Sequence, residues 1–546
     1  MKDEQPQAAS TSGGAPLKES VRASGILLAG SIASKALRFA SDVLVGRVLG
    51  PTGFGIIAAA MSLVGILGEV ALLGTQRAAL RFASLTEGDN RSLVRRAMLV
   101  PICIGGVLAA AITLARVPLT RLFFGESVSV WLLPAFSLAI PAIGIFSIQQ
   151  FAARARKRFF ADTMIGDVCR MGLPFVGTAV AFAIHPSVWS AAWGFIAGSI
   201  ATALAGFFAS PRLAVFRGRA SDSPTRFRDL MKVALPLSLG SSSILLMNEL
   251  DKVMLAAFRP ESDVGVYNAA FRIARQILLV MPALNAAVSP YIAPLLAQGR
   301  TSELRDLYRR TVRWSLAAGW SAALLFCGFA GDFLGVFGDD FQAGRHILIV
   351  ICLGHLVNAA AGTVSVILQY SGNEKKELTN GLLVIGASVG LNALLIPPYG
   401  AVGAAYSSFL ALTLVNALRM VQVWRILDVN PYDRKTLWVL GTGCAGLLLG
   451  WGLRAAAWSF GWTACVVGVI TATGGMAAAW ILYFVLAGVS AEEAKLLRLP
   501  KRFIRFRPSE ASWGFAFDRR NRPPESDTKS PPPHRSASKD KLPHRL

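Results

Sequence analysis

The segment MNELDKVMLAAFRP, Met247–Pro260, closes an apolar run that begins near Val233. It sets Glu249, Asp251 and Lys252 inside a helix of membrane length. A charge at that depth is costly unless it faces an interior cavity or a partner. The three charges therefore read as interior, and their helix as one wall of a polytopic bundle. The pattern has an earlier copy. In SDVLVGRVLGPTGFG (41–55), Asp42 aligns with Asp251 and Pro51 with Pro260, and one inserted residue then brings Gly55 onto Gly265. Each copy leads into an apolar helix and an arginine-rich loop, SLVRRAM in one case and DLYRRTV in the other. An even number of spans separates the copies, so both halves face the same way. That arrangement is a parallel repeat about an axis along the membrane normal, common in secondary transporters.

The bulk composition agrees. Of 546 residues 53% are hydrophobic and only 16% charged, against about 25% charged in soluble domains; mean hydropathy is +0.51. A hydrocarbon core of ~30 Å takes ~20 helical residues to cross, and runs of that length recur about fourteen times. The expected fold is thus an all-α polytopic membrane protein of about fourteen transmembrane helices: two six-helix lobes related by the parallel repeat, plus two C-terminal helices. The layout reads as a polar, disordered cytoplasmic N-terminus (1–25), an N-lobe (26–209) and a cytoplasmic linker (210–231). A C-lobe (232–425), two further spans (435–488) and a basic, Pro-rich cytoplasmic tail (489–546) follow.

The net charge of +23 is a matter of orientation. Arg95, Arg96, Arg154, Arg156, Arg309, Arg310 and their neighbours fall in loops on one side, the bias expected of the cytoplasmic face. Both termini are then cytoplasmic, and nucleic acid is not needed to explain the charge. In the tail, KLLRLPKRFIRFRP (495–508) interleaves cations with Leu and Phe and suits an anionic inner leaflet. The six cysteines are scattered singly through apolar segments, which gives no disulfide framework.

Enzyme signatures are missing. No GxxxxGK[ST] or HExxH occurs, and GTGCAG (441–446) fits GxGxxG only within an apolar span, where its glycines suit helix packing. No catalytic residue, metal site or cofactor is expected. The informative residues are the ionisable ones inside spans. Lys35, Arg38 and Asp42 share one face of the first span, Glu69 lies in the second, and Asp167 and Arg170 lie in the fifth. Arg272 and Arg275 sit ~12–18 Å into the eighth. One reading pairs them locally, Arg38 with Asp42, Asp167 with Arg170 and Asp251 with Lys252. It leaves Arg272 and Arg275 without an acid on their own helix, which points to a ligand bringing negative charge. Guanidinium suits phosphate because its planar fork donates two hydrogen bonds. Pro282, Pro290 and Pro294 in the same span read either as irregular packing or as a broken, cavity-lining helix.

RVLGPTGFG (47–55), GDDFQAG (338–344), YSGNEKKELTNGLLVIGASVGLNALLIPPYGAVGAAYSS (370–408) and the twelve-plus-two layout together resemble the polysaccharide repeat-unit flippases, which handle O-antigen and exopolysaccharide. These belong to the multidrug/oligosaccharidyl-lipid/polysaccharide exporter superfamily. The resemblance implies two lobes around a cationic cavity, with alternating access. It also implies an undecaprenyl-pyrophosphate-linked oligosaccharide moved from the inner to the outer leaflet of the bacterial cytoplasmic membrane, and a polysaccharide polymerase as a protein partner. On this view Arg272, Arg275, Lys35, Arg38, Arg170 and Lys252 bind pyrophosphate. Asp42, Asp251, Glu69 and Glu249 couple or gate, with a proton or Na⁺ as the coupling ion, and the Asp42 and Asp251 clusters face each other across the cavity. The alternatives are a lipid II flippase or multidrug exporter of the same superfamily, and a non-transporting membrane scaffold.

Overall fold

The computed structural model describes residues 15–85, 91–155, 159–209 and 227–433, with single positions from Thr436 to Gly474. The linker at 210–226, most of 435–488 and the whole tail at 489–546 lie outside the described residues, as do residues 1–14. Every regular element described is a helix. The first half contains α1 (Ala15–Leu72), α2 (Thr75–Leu85), α3 (Arg91–Leu114), α4 (Arg116–Phe124), α5 (Leu132–Ser137), α6 (Ala139–Ala155), α7 (Phe159–Thr163), α8 (Arg170–Ile184) and α9 (Val188–Ala209). The second contains α10 (Phe227–Phe258), α11 (Glu261–Ala274), α12 (Met281–Ala297), α13 (Thr301–Gly328), α14 (Ala330–Gly335), α15 (Arg345–Ala361), α16 (Val364–Tyr370) and α17 (Glu374–Leu427).

Among the described residues, 8 helical stretches are long and apolar enough to cross a membrane. Two of them, Gly30–Leu72 and Glu374–Leu427, each hold a pair of the expected spans. Their dividing points are Gly50 (φ 66°) and Gly400 (φ 57°), where left-handed backbone breaks a continuous helix. That conformation is open to glycine at little cost. The chain is a multi-pass membrane protein. One expectation changes: residues 15–25 are helical and continue into the first span. Pro16 is tolerated in a first helical turn, and Leu17, Lys18, Glu19 and Arg22 favour helix once begun, so polarity alone was a poor guide to disorder there.

The repeat appears as contact. α1 packs along α11, and the repeat mates Gly55 and Gly265 meet there. A methyl on Gly55 would lie 1.7 Å from the Glu261 carbonyl oxygen, and one on Gly265 would lie 2.0 Å from the Pro51 carbonyl oxygen. Each glycine thus receives the other copy's backbone, the reciprocity of a pseudo-two-fold contact. Beside it, Phe54 packs its ring 5.9 Å from Phe341 and 5.8 Å from Phe337, and Phe39 meets Phe337 edge-on at 5.7 Å. Each such aromatic pair is worth ~0.5–1.5 kcal/mol beyond its buried area. Arg47 Nε donates to the Val336 carbonyl at 2.7 Å, and the Arg259 guanidinium donates to the Pro397 carbonyl at 2.8 Å. The motif stretches RVLGPTGFG and GDDFQAG therefore meet at one seal between the lobes, on the side where the first span ends.

At the opposite end, Arg305, Arg309 and Arg313 lie on one face of α13 and grip the chain leaving α17. Arg305 donates to the Asp428 carbonyl (2.7 Å), Arg309 to the Asn430 carbonyl (3.1 Å) and Arg313 to the Asp433 carboxylate (2.6 Å). Burial pushes the Asp433 carboxyl up, but hydrogen bonds from Thr436 and the charge of Arg313 outweigh it and leave the group below its ordinary value.

The glycine contact generates the first prediction. Gly265→Ala forces α1 and α11 apart, so a cysteine at buried Ala58, in a background lacking native cysteines, gains several-fold reactivity toward a membrane-impermeant thiol reagent. Unchanged labelling would show that the seal does not depend on this approach.

Candidate functional site

Span 8 is broken where its arginines stand. α11 ends at Ala274, a 3-10 turn covers Arg275–Leu278, and α12 restarts at Met281 with Pro282 in its first turn. The missing proline N–H costs nothing there, and the break settles the earlier choice in favour of a discontinuous helix. A second irregularity is the π-helical turn Met164–Cys169, which carries Asp167 and delivers Arg170 to the start of α8. Such widened turns swing side chains out of the regular helical register.

The expected site residues converge. Arg38 is coupled electrostatically to Arg272, Asp42, Glu249 and Arg170. Lys35 is coupled to Arg275 and Asp167, Lys252 to Glu249, Arg272 and Arg38, and Arg170 to Asp167 and Glu69. Residues from α1, α8, α10 and α11 thus form one connected cluster drawn from both lobes. Arg170 and Arg275 are solvent-exposed although protein surrounds them, the combination expected of a cavity wall. Among the described residues, no side-chain hydrogen bond holds Arg275.

The pairing differs from the local scheme. Asp42 sits 3.1 Å from Arg272 Nε, across the lobes, and both side chains are largely buried. Their atoms are close without being aligned as a hydrogen bond, so the ion pair retains unused donors and acceptors. Arg272 therefore has an acid partner, supplied by α1, which inspection of its own helix could not reveal. Lys252, fully buried, pairs with Glu249 one turn away and stands over the Phe271 ring at 5.1 Å. Glu249 also accepts from Ser62 Oγ of α1 at 2.7 Å, a second tie between the lobes. Arg38 reaches Met171 Sδ at 3.9 Å.

Asp251 does not face Asp42. It points into its own lobe, where it accepts from Asn392 Nδ2 (2.7 Å), from Tyr267 Oη (2.9 Å) and from the Ser408 hydroxyl. The repeat mates thus hold different posts. Asp42 ties lobe to lobe, while Asp251 ties α10 to α11 and α17. Glu69 accepts from Gln76 Nε2 at 3.3 Å. Reading only ionisable residues missed Ser62, Tyr267, Asn392 and Ser408, whose signal was merely that of neutral polar groups within apolar runs. Among the described residues there is no cluster of His, Cys, Asp and Glu able to hold a metal ion.

With this geometry in view, the comparisons with known proteins are consistent. A family model described as polysaccharide biosynthesis protein matches residues 20–296, and the MatE model matches residues 236–397. The chain belongs to the polysaccharide biosynthesis protein family, within the superfamily of flippases and multidrug exporters that the sequence motifs indicated. It is 26% identical over 187 residues to the "Probable flippase AglR" of Haloferax volcanii, covering 33% of this chain and 39% of that protein. Over 170 residues it is 20% identical to the "Probable low-salt glycan biosynthesis flippase Agl15" of the same organism, covering 31% of this chain and 36% of the relative. The chain thus matches under two fifths of the length of these curated relatives. Among solved structures, "Lipid II flippase MurJ, inward closed conformation" superposes with a TM-score of 0.63 at 14% identity, covering 84% of this chain and 98% of that one. An inward-facing MATE family multidrug resistance transporter gives 0.58 at 17% identity, covering 72% of this chain and 94% of that one. The fold is shared.

The inter-lobe ion pair yields a thermodynamic test. Removing one partner of a buried pair strands the other charge, whereas removing both does not. Asp42→Asn should lower the melting temperature by several degrees, and adding Arg272→Gln should recover most of the loss. Thermal unfolding of the single and double variants in detergent measures this coupling. A double variant as unstable as the two single effects summed would show the residues to be independent.

Proposed function

We propose that this protein moves a lipid-linked oligosaccharide, joined to its lipid through a diphosphate, across the membrane by alternating access. The observation that carries this reading is the cation cluster. Lys35, Arg38, Arg170, Lys252, Arg272 and Arg275 come from both lobes, and Arg170 and Arg275 are accessible from within the protein. A diphosphate supplies negative charge and several acceptors to guanidinium forks that have donors to spare. Arg275 is the first contact in this scheme. Arg272 follows by exchanging Asp42 for the ligand, which unties one link between the lobes. A ligand shifts a conformational equilibrium only through such differential contacts. Asp42 and Glu249 then gate, and Asp251 keeps α10, α11 and α17 moving as a unit.

The names of the curated relatives, glycan-biosynthesis and other flippases, support the glycan class. We further assign the lipid as undecaprenyl and the route as inner to outer leaflet of the bacterial cytoplasmic membrane. The inside-loop arginines support that orientation. A polymerase that consumes the flipped unit, and anionic lipids under the tail, complete the proposed surroundings. Lipid II presents the same diphosphate, so the cluster accommodates it equally well, and the sugar portion has to discriminate. A multidrug exporter of cationic compounds fits poorly with a cavity lined by arginine. A passive scaffold fits no better, since apolar residues would serve it without the cost of buried charge.

The test uses vesicles reconstituted with the full chain and a fluorescent short-chain prenyl-diphosphate oligosaccharide, whose leaflet is read with an impermeant quencher. Arg272→Gln combined with Arg275→Gln is expected to reduce flipping at least tenfold at equal incorporation. Flipping at the parent rate by the double variant sinks the diphosphate reading. Equal flipping of an uncharged lipid glycan by the parent does so too.

A further inference from the structure

One buried group has no place in the scheme above. His355, on α15, is only 4% exposed. Among the described residues, neither of its ring nitrogens has a hydrogen-bond partner. A buried imidazole ordinarily makes at least one such bond, because an unmade one forfeits ~1–3 kcal/mol. The ring lines a cavity of ≈ 20 Å³ together with Asp251, Asn248, Ser388 and Ser408. That is room for about one water, for which ~10–15 Å³ suffices.

Its position matters more than its isolation. α15 packs against the break in span 8, and His355 is coupled electrostatically to Arg275. Its ring lies 6.0 Å from that of Phe271, whose ring also carries Lys252. The ionisable groups around it are Asp251 and Lys252 on α10, Tyr267 on α11, Arg275 at the break, and the adjoining thiols Cys327 of α13 and Cys352 of α15. α17 faces it with Ser388 and Ser408, which do not ionise in the ordinary range. Asp251 is already satisfied by three donors, and Lys252 is taken by Glu249. The charge left to act on the imidazole is that of Arg275, a cation that does not deprotonate in proteins. Two neighbouring buried cations repel, so the empty site favours a neutral ring. A diphosphate bound to Arg275 removes that repulsion and reverses its sign.

We propose that His355 is a proton site linked to the anion at Arg275, neutral while the arginine is unoccupied and protonated once a diphosphate binds there. The proposal rests on the diphosphate reading and adds its proton stoichiometry. The chemistry is a single transfer: a proton from solvent joins a ring nitrogen lone pair, and no other bond forms or breaks. By linkage the effect is reciprocal, since protonation strengthens anion binding by the factor by which the anion strengthens protonation. One imidazole then connects the substrate arginine to the pocket that holds Asp251.

The experiment is calorimetric titration of the full chain in lipid nanodiscs with a short-chain prenyl-diphosphate sugar. This diester keeps its charge constant across the histidine range. Comparing buffers of different ionisation enthalpy gives the protons taken up. Near pH 7 the parent is expected to take up close to one proton per ligand, and between about pH 6 and 8 its affinity falls several-fold, up to roughly tenfold, per pH unit. His355→Gln should bind with uptake near zero, while His346→Gln, altered on an exposed residue outside the cluster, behaves as the parent. Uptake absent in the parent, or retained in His355→Gln, overturns the proposal while the diphosphate reading stands. No binding by the parent at any pH overturns both. Should His355→Gln fail to fold, ¹⁵N-histidine spectra of the parent decide. The His355 signal must pass from neutral imidazole to imidazolium on saturation near pH 7, and a ring that stays neutral ends the idea.

Discussion

A guanidinium among apolar helices is tolerable when a counter-charge stands within a few ångströms, and for Arg272 that counter-charge is supplied by the other lobe. The Asp42–Arg272 contact, 3.1 Å long and largely buried, makes the electrostatic stability of the second lobe depend on the position of the first. Ser62 and Glu249 add a neutral-to-charged tie of the same kind. A carrier built this way cannot separate its lobes cheaply unless something replaces the lost partner. An anion entering the cluster is such a replacement, which is how substrate binding and lobe movement become one equilibrium rather than two.

The seal between the lobes obeys a different constraint, that of steric approach. Gly55 and Gly265 admit each other's backbones so closely that no side chain fits, and the phenylalanines beside them fill what remains. Because the contact joins repeat mates, it is self-complementary and needs only one solution, used twice. The polar ties lie deeper in the bundle than this seal. The lobes are thus held by close backbone packing where the first span ends and by charge near mid-depth, and only the second of these responds to an anion.

Much of this was legible in the sequence. Apolar runs of membrane length gave the all-α architecture. The offset shared by Asp42/Asp251 and Pro51/Pro260 gave the repeat, and the cost of buried charge singled out Lys35, Arg38, Arg170, Lys252, Arg272 and Arg275, which the structure gathers into one cluster. What was not legible was partnership. Helical periodicity ranks neighbours three and four residues apart, so it paired Asp251 with Lys252 and left Arg272 alone. The true partners, Asn392, Ser408 and Asp42, lie between 140 and 230 residues away along the chain. Residues 15–25 misled for a related reason, since their polarity described solvent exposure and said nothing of helical propensity.

The central claim is that anion binding at the arginine cluster releases the lobes. It is tested most directly by spin-label distances across the seal. Labels at Thr52 and Ser262, in the full chain reconstituted in nanodiscs, report whether α1 and α11 part. Saturating prenyl-diphosphate oligosaccharide should shift the population from the short distance of the sealed state toward a longer one, and Arg272→Gln should abolish the shift. A distance distribution that ignores the ligand, or shifts equally in the variant, contradicts the account.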